Sequence, residues 1–380
     1  MYKRQPTSWA IWLFGVLGIF FLTKFYLCFV DKFFRKTYAS LILIGLAIIQ
    51  FSCGIYFCYV YFNFYEIAQA CGFLWVTAGA YFLMSSNVIG YGQIKYWRLV
   101  AAAACLSFGV LSRPTLAIYC IAALLFIYAG FRKKKTLYQQ GKKWKYYLPY
   151  FTCALLPFVL IGSIQIWYNC ARFGNPFDFG IQYSLTINDF TKSQYHTHFA
   201  MIGFFNFLFR TPVFGEKFPF FTAESALTFS PQGYYFLATT GALGLIWRAL
   251  PLAAYGKSLK AYRTVQNPNR NLYALMLLAV CVICPFIIIF SIWESGFATR
   301  YSVDFAWQMI LGALIICFLV HQNCAENTKK HLNSLMIFAG ALSLFMNFVH
   351  VYSYYIPTNS YSMEWQEKAF AFARLFEFWR

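Results

Sequence analysis

The stretch SWAIWLFGVLGIFFLTKFYLCFV, residues 8–30, decides the class of fold. It is a continuous apolar run of about 20 residues, the length that crosses a bilayer as an α-helix. Similar runs recur along a chain that is 60% apolar and only 11% charged, more than a soluble core can bury. The runs are continuous rather than alternating, which excludes a membrane β-barrel. The sequence therefore predicts an all-α, polytopic helical membrane protein.

We predict about ten membrane spans. The fourth and fifth meet at Ser112-Arg113-Pro114, where Pro114 suits the first turn of a helix, so a tight turn is expected there. The spans lie near residues 8–30, 39–61, 66–85, 98–112, 114–130, 148–169, 234–254, 272–292, 302–320 and 332–350.

One long segment, from about residue 168 to residue 234, is neither a span nor a basic connector. It begins YNCARFGNPFDFGIQYSLTINDF and continues THFAMIGFFNFLFRTPVFGEKFPFF. Long loops in compact domains are usually functional or disordered, and this one is too aromatic for disorder. Its middle, HFAMIGFFNFLFR, is too short to span and predicts a helix along the membrane surface. That helix is either an aromatic belt element or a wall for a lipid-linked substrate.

Lysine and arginine in short loops predict the orientation. The connector after the fifth span has no acid, so we place it in the cytoplasm; every other connector on that side is then also basic. Most acids fall on the opposite face, together with the long loop. Residues 1–350 form the predicted membrane domain and residues 351–380 an extracytoplasmic tail. The basic residues of the fifth connector are Arg132, Lys133, Lys134, Lys135, Lys142, Lys143 and Lys145.

The net charge of +19 does not predict nucleic-acid binding. Its basic residues lie in short connectors between spans. That distribution indicates the orientation of the chain in the membrane and does not form a continuous basic surface that could follow a nucleic-acid backbone. Most cysteines lie inside spans, where they behave as small apolar residues, and the pair Cys281 and Cys284 lacks the further ligands of a zinc site. His196 and His198 alone make a poor metal site. We predict no metal and no other cofactor.

Three arginines on the predicted outer face are candidates to bind a substrate phosphate: Arg113 in LSRPT, Arg172 in RFGNPFDFG and Arg300 in RYSVDF. They run against the positive-inside trend, and a guanidinium offers a charged planar fork that matches phosphate. Arg300 also lies near a helix N-terminus, where the dipole disfavours a cation. The alternative for Arg300 is a salt bridge with Asp304, four residues on.

Several further residues are candidates for the same cleft: Asp178, Glu294, Tyr301 and Asp304. Asp178 lies in a Gly-Asn-Pro turn, where an aspartate most often caps backbone amides. Glu66 opens the third span, and an acid at a helix start is favoured by the dipole without any function. Motifs of nucleotide-binding loops, zinc proteases and serine hydrolases are absent from the sequence.

The order LSRPT, RFGNPFDFG with a following QYSLT, and RYSVDF resembles bacterial membrane glycosyltransferases of the GT-C fold, relatives of protein-mannosyltransferase and aminoarabinose-transferase enzymes. The resemblance covers roughly residues 65–320. It implies transfer of a sugar from a polyprenyl-phosphate donor to an acceptor on the outer face, with the membrane lipid and the lipid-linked sugar as partners and arginines holding the phosphate without a metal.

One departure from that family bears on activity. Its key acidic residue lies in the first outer loop, and the orientation above puts Met1 outside, so an upstream span and its acidic loop are expected to be missing from an N-terminally incomplete product. The catalytic base is then unassigned. A transporter or flippase for lipid-linked sugars and a non-catalytic assembly subunit remain alternatives, although nearly uncharged span centres and the lack of a repeat favour the enzyme. The sugar, the acceptor and the oligomeric state are left open.

Overall fold

The computed structural model describes residues 5–60, 64–90, 92–135, 144–180, 183, 197–228, 240–264, 270–292, 296–355 and 363–377. Helices dominate these residues, as predicted. Within them, seven helices are long and apolar enough to cross a membrane, and the chain is a helical membrane protein. The predicted count of about ten is not confirmed. The seven are Pro6–Phe33, Tyr65–Ser85, Pro114–Arg132, Tyr147–Phe173, Asn271–Ser291, Ala306–Asn323 and Glu326–Ser353.

The α-helices are numbered in chain order through the described residues. They are α1 (Gln5–Phe33), α2 (Ala39–Ser52), α3 (Tyr56–Val60), α4 (Phe64–Ser85), α5 (Tyr96–Ser112), α6 (Ala117–Lys135), α7 (Trp144–Phe173), α8 (Thr197–Phe204), α9 (Leu245–Arg248), α10 (Ser258–Thr264), α11 (Arg270–Leu275), α12 (Cys284–Ser291), α13 (Ala306–Asn323), α14 (Glu326–His350) and α15 (Met363–Arg374). Short 3-10 helices cover Pro114–Leu116, Leu250–Lys257 and Thr299–Asp304, and π-helical turns cover Phe205–Phe209, Met276–Ile283 and Val351–Tyr355.

The chain divides into two compact units. The first unit contains Met1–Arg35 and Asn63–Tyr195, and the second contains Lys36–Phe62 and His196–Arg380. Each unit therefore combines segments that are distant in sequence.

In the first unit, α4 packs between α1 and α5, and small residues permit the close approach. A Cβ on Gly79 would lie 2.7 Å from Leu106 Cγ, so α4 and α5 meet at a position where only glycine fits. On the other side, the Thr77 hydroxyl hydrogen-bonds the Gly18 carbonyl of α1 at 3.2 Å. Tight packing of this kind is how membrane helices associate without a hydrophobic driving force.

Lys32, near the end of α1, holds the turn that follows α4. Its ammonium donates to the Met84 carbonyl, to Asn87 Oδ1 at 2.9 Å and to the Ile89 carbonyl at 3.5 Å. The last carbonyls of a helix have no partner within the helix, and a cation there also suits the helix dipole. Lys32 thus caps the C-terminal end of α4 from a neighbouring helix.

In the second unit, α13 is the central helix, and almost every residue from Ala306 to Leu319 is buried. The Tyr255 hydroxyl reaches it from the 3-10 helix Leu250–Lys257 and donates to the Met309 carbonyl at 2.9 Å and the Cys281 carbonyl at 3.2 Å. Because Pro285 has no N–H to offer the Cys281 carbonyl four residues earlier, the tyrosine supplies a donor there. Burial raises the pKa of the Tyr255 hydroxyl, which keeps it protonated as a donor.

The predicted span 39–61 is interrupted. It forms α2, a break at Gly54, and the short helix α3. Gly54 has a positive φ of 91°, and a Cβ there would lie 3.2 Å from the Val303 backbone nitrogen. The chain turns at this residue because another segment of the second unit occupies the space that a side chain would need.

The predicted span 234–254 is wrong as a single helix. Among its described residues, Gly241–Ala242 form a strand paired antiparallel with Glu224–Ser225, and the chain continues through α9 into the 3-10 helix Leu250–Lys257. Two local features oppose a long helix there. Gly244 lies where a Cβ would be 2.7 Å from the Arg210 backbone nitrogen, and Pro251 removes a helical donor.

The described residues of the predicted long loop contain regular structure. The loop starts later, because Tyr168 still belongs to α7. The predicted helix over HFAMIGFFNFLFR is confirmed as α8 with its π-helical extension to Phe209, although its place on a membrane surface stays a prediction. A hairpin follows, pairing Val213–Phe214 with Phe221–Thr222.

The predicted C-terminal tail contains an amphipathic helix, α15, that docks on this hairpin. Phe218, at the hairpin tip, stacks on Phe376 with ring centroids 4.5 Å apart and also contacts Phe372 and Tyr352. The Phe218 amide donates to the Glu377 carboxylate at 2.7 Å. The hairpin and the C-terminal helix are therefore one packed element of the second unit.

Candidate functional site

Arg113 lies at the junction of α5 and the 3-10 turn Pro114–Leu116, so the predicted tight turn is confirmed. Its backbone is extended, with φ −150°, and its amide closes α5 by donating to the Gly109 carbonyl at 2.9 Å. Pro114 begins the next turn, where its missing N–H costs nothing. This local geometry sends the arginine side chain away from its own helix.

The side chain of Arg113 runs along one face of α4. With the Gln69 amide oriented so that its nitrogen faces the Tyr65 carbonyl, the Gln69 oxygen accepts a hydrogen bond from Arg113 Nη1. One turn further, Arg113 Cδ lies 3.6 Å from where a Cβ on Gly72 would be. Gly72 thereby leaves room for the aliphatic part of the arginine.

Glu66 belongs to the same face of α4, because it lies three residues before Gln69. Glu66 is only 2% exposed and Gln69 only 3%. Ionised groups are costly to bury unless they are paired or hydrogen-bonded, so the buried Glu66 carboxylate requires polar partners around it. The acid is not merely a surface group favoured by the helix dipole.

The hydroxyls around Arg113 differ in their bonding. Ser112 Oγ donates to the Phe108 carbonyl at 2.9 Å and lies 3.2 Å from Cys71 Sγ. The Thr115 hydroxyl is buried and has no hydrogen-bond partner among the described residues. We call Glu66, Gln69, Arg113 and Thr115 the Arg113 cluster; it contains a buried carboxylate, a guanidinium that donates to Gln69, and a hydroxyl with no hydrogen-bond partner among the described residues.

Arg172 does not open a loop as predicted, because it occupies the last turn of α7, where the helix dipole favours a cation. It is exposed, donates to the Tyr168 hydroxyl at 2.5 Å and lies 5.1 Å from the Phe173 ring centroid. Its contacts are thus with residues of its own helix.

Asp178 makes the backbone bond expected of an aspartate in a turn, and its place in a cleft stays a prediction. Its Oδ1 accepts a hydrogen bond from the Gly180 amide at 2.7 Å, while Asn175 Oδ1 accepts one from the Phe177 amide at 2.9 Å. Both are the local turn bonds expected of Asx residues. Asp178 and Asn175 therefore stabilise the turn that follows α7.

Arg300, Tyr301 and Asp304 share the 3-10 helix Thr299–Asp304 in the second unit. The Arg300 guanidinium lies 4.9 Å from the centroid of the Tyr301 ring, and Asp304 is only 3% exposed. Glu294, the fourth predicted member of this cleft, lies outside the described residues, as does His196 of the histidine pair. Arg300 and Asp304 are in the second unit, whereas Arg113 and Arg172 are in the first.

One further arginine, Arg248 in the second unit, is buried. Arg248 ends the one-turn helix α9, is 1% exposed, and donates from Nε to the Leu243 carbonyl at 3.1 Å. Its guanidinium lies 5.1 Å from the Phe57 ring centroid. Its backbone carbonyl accepts from Ser52 at 2.7 Å and from Asn347 at 2.8 Å. None of the described carboxylates forms a salt bridge with it.

The structure offers no metal centre within the described residues, since no three His, Cys, Asp or Glu side chains there lie close enough to share an ion. Comparison of the chain with protein-family models, with curated proteins and with solved structures gives no match in any of the three. The resemblance to membrane glycosyltransferases therefore stays a prediction, and the local chemistry of the clusters above carries the functional argument.

Proposed function

We propose that this protein is an integral membrane glycosyltransferase that moves a sugar from a polyprenyl-phosphate donor to an acceptor at the outer face of the membrane. One observation carries the proposal: in the Arg113 cluster, the buried Glu66 lies one helical turn from Gln69, the residue that orients Arg113. A carboxylate and a guanidinium held at one helix end are the two groups that such a transfer needs.

The two groups have complementary roles in the reaction. The acceptor hydroxyl attacks the anomeric carbon of the sugar, the bond between that carbon and the phosphate oxygen breaks, and the polyprenyl phosphate leaves. Glu66 takes the hydroxyl proton as general base. Arg113 stabilises the charge that develops on the phosphate; a guanidinium has five donors, so the bond to Gln69 fixes its orientation while other donors face the leaving group. This assigns the base to Glu66.

The proposal includes the side of the membrane on which the Arg113 cluster lies. Basic connectors in the cytoplasm place the start of α4 and the end of α5 on the outer face, together with the segment that follows α7. The donor phosphate is then bound at the level of the lipid headgroups, and its polyprenyl chain extends into the bilayer beside the helices.

The test compares arginines at the two ends of α5. Binding of polyprenyl phosphate to the purified chain in nanodiscs is measured for the wild type, Arg113→Met and Arg98→Met. Arg98 is the matched control, because it begins the same helix and donates to the Ser85 carbonyl at 3.3 Å. We expect affinity to fall at least tenfold for Arg113→Met, the scale of one lost charge-assisted bond, and to be unchanged for Arg98→Met. Equal affinity for all three would refute the phosphate-binding role.

Catalysis is tested separately through Glu66. With membranes of the source cell supplying donor and acceptor, Glu66→Gln should retain polyprenyl phosphate binding and lose sugar transfer by 10²-fold or more, the scale of a general base. Retained transfer in Glu66→Gln would remove the base assignment. Binding without transfer in the wild type as well would favour a non-catalytic subunit.

A transporter of lipid-linked sugars is the second candidate, favoured by the break at Gly54 and the buried Arg248 beside it. Transporters place charged residues and broken helices together near the middle of the membrane. The two candidates separate in sealed proteoliposomes that contain a labelled polyprenyl-phosphate sugar. Movement of the label between leaflets without any acceptor, abolished by Arg248→Met, supports transport; transfer that requires an acceptor supports the enzyme.

A further inference from the structure

The C-terminal end of α14 carries exposed aromatic side chains. This helix is part of the candidate membrane span Glu326–Ser353, whose first residues are polar, so that its mainly apolar part is residues 335–353. These 19 residues extend about 28 Å at 1.5 Å per residue, which nearly matches the roughly 30 Å apolar core of a bilayer. Ser353 therefore lies near one boundary of that core. Phe345 and Phe348, just before this boundary, are exposed on the span, and hydrocarbon is as apolar as their rings.

The hairpin of the second unit runs along this end of α14. The ring centroids of Phe221 and Phe345 are 6.2 Å apart, and those of Phe218 and Tyr352 are 5.3 Å apart. Phe345 lies about two helical turns before the end of the span, whereas Tyr352 is in its last turn. Because Phe221 is in the second strand and Phe218 is close to the turn, the turn of the hairpin points toward the boundary near Ser353.

The turn and the strand edges place the hairpin backbone at that boundary. Glu216 and Lys217, in the turn, are both exposed, and charged side chains belong among the headgroups. In the described part of the chain, the strands Val213–Phe214 and Phe221–Thr222 pair only with each other. Open sheet edges are not tolerated in the hydrocarbon core. The backbone of the hairpin therefore lies at the level of the headgroups, and its rings reach toward the acyl chains.

The amphipathic helix α15 lies at the same level. The Tyr352 hydroxyl donates to the Ala369 carbonyl at 2.5 Å, which ties α15 to the last turn of the span. Phe372 and Phe376 pack on Phe218, yet both remain exposed. The charged residues of α15 are two acids and two bases, so the helix has no net charge to attract a charged partner; they are Glu364, Glu367, Lys368 and Arg374.

These contacts join the exposed rings into one surface. Phe214 is 79% exposed, and its ring centroid lies 4.6 Å from that of Phe221, which in turn contacts Phe345. Phe218 connects Phe348 to the two aromatic residues of α15 in the same way. We call the exposed members of this set the aromatic surface: Phe214, Phe345, Phe348, Phe372 and Phe376.

We propose that the aromatic surface binds the bilayer interface, so that the hairpin and α15 lie in the plane of the membrane boundary beside the end of α14. The argument rests on continuity, because the surface begins on an apolar span and extends without a gap onto two elements at its end. Amphipathic helices in the interface bury their apolar face about 5–10 Å into the boundary between headgroups and acyl chains, and aromatic residues are enriched there. The partner is the uncharged part of the lipid.

This surface is independent of the proposed sugar transfer. It lies in the second unit, whereas the Arg113 cluster lies in the first, and its test uses neither donor nor acceptor. Failure of one proposal therefore leaves the other standing.

The experiment inserts the photo-crosslinking amino acid p-benzoylphenylalanine at single positions of the full chain. Each variant is reconstituted into phosphatidylcholine nanodiscs, irradiated, and analysed by mass spectrometry for a lipid adduct. The test positions are Phe214 and Phe372, where the new side chain keeps the phenyl ring. Phe338, exposed in the apolar part of α14, is the positive control. Glu367 is the matched control, because it is exposed on α15 five residues before Phe372, roughly 140° around the helix axis.

We expect lipid adducts at Phe214 and Phe372 in a fraction similar to that at Phe338, and several-fold fewer at Glu367. Adducts confined to Phe338 would overturn the proposal. So would equal adducts at Glu367, because α15 would then not present one face to lipid. Crosslinks from Phe214 or Phe372 to a second copy of the chain in place of lipid would also overturn it, since the surface would then be a dimer interface. If the Phe372 variant unfolds, the exposed Phe214 position decides the outcome.

Discussion

The contact of Gly312 with Tyr255 gives the most direct test of packing in the second unit. Gly312 lies on the central helix α13, and a Cβ placed there would be 2.7 Å from Cys281 Cβ and 2.9 Å from Tyr255 Cζ, and nearer still to the Tyr255 hydroxyl. Carbon atoms pack best at about 3.5–4.0 Å, so Gly312→Ala requires a displacement of roughly 1 Å. Neither neighbour moves freely, because Cys281 Cβ is attached to the backbone and the Tyr255 ring is held by two hydrogen bonds.

The expected magnitude combines two opposing effects. Overpacking a core by one methyl group costs about 1–3 kcal/mol, and the fixed neighbours place Gly312→Ala near the upper end. The alanine regains about 1 kcal/mol because glycine is a poor residue in a helix. The net loss of stability is about 1–2 kcal/mol. Tyr255→Phe alone costs about 1–2 kcal/mol, because both carbonyls that share the Tyr255 O–H lose their donor.

The double variant is the informative one. Tyr255→Phe removes the atom nearest to the new methyl group, so Gly312→Ala should cost about 1 kcal/mol less in its presence than in the wild type. Contacting residues commonly show interaction energies of this size. Gly162→Ala is the matched control, since nothing lies within 4 Å of the position of its Cβ, and it should be neutral or slightly stabilising.

Thermal unfolding in detergent, followed with a thiol-reactive fluorogenic dye, measures these differences. The buried free cysteines Cys281, Cys284 and Cys317 become reactive when the second unit opens. We expect Gly312→Ala to lower the apparent Tm by a few degrees. A Tm for Gly312→Ala equal to that of Gly162→Ala would refute the reasoning, as would strict additivity in the double variant.

Three further substitutions test other contacts. Lys32→Met leaves the carbonyls at the end of α4 without their donor, and should cost about 1–3 kcal/mol, seen as a lower Tm in the same assay. Arg248→Met should cost less than about 1 kcal/mol, because the lost hydrogen bond is offset by the desolvation cost of a buried charge; a fall as large as that of Lys32→Met would contradict this. Phe218→Ala removes the ring stacked on Phe376, so amide hydrogen exchange in α15 should accelerate, whereas Phe214→Ala, on the exposed side of the same hairpin, should leave it unchanged.

The length of the apolar runs was sufficient to predict most long helices, because a membrane span can be recognised from one segment of sequence without knowing what packs against it. The run 8–30 became α1, and the run 66–85 became α4, with ends shifted by only a few residues. The turn at Pro114 was also predictable, since proline restricts the backbone before it.

The predicted spans 39–61 and 234–254 are not single helices, and they show where the length of an apolar run is not sufficient for prediction. The break at Gly54 is set by residues near Ser302, far away in sequence, and only a glycine within an apolar run hinted at it. The run 234–254 contains three residues that disfavour a helix: Gly241, Gly244 and Pro251. They do not lower the average hydropathy enough to exclude a membrane span. Their packing against strand and loop segments then decides against a helix.

The candidate site was only half visible in the sequence. Arg113 stands out because arginine is unexpected on the predicted outer face, yet its partner Gln69 is an ordinary residue of an apolar helix. Glu66 looked like a helix-start acid, and its burial depends on the packing of α4 against its neighbours. Contacts between different helices depend on the tertiary structure, so the sequence alone did not connect Arg113 with Gln69 and Glu66.

The length of α7 has a consequence for the segment that follows it. Its 30 residues extend about 45 Å at 1.5 Å per residue, whereas the apolar core of a bilayer is about 30 Å thick. Unless strongly tilted, the helix must project beyond that core, and Trp167 and Tyr168, both exposed near its end, mark the level where headgroups begin. The turn at Asn175 and Asp178 follows directly after this helix, so the excess length of α7 would carry the turn beyond the apolar layer.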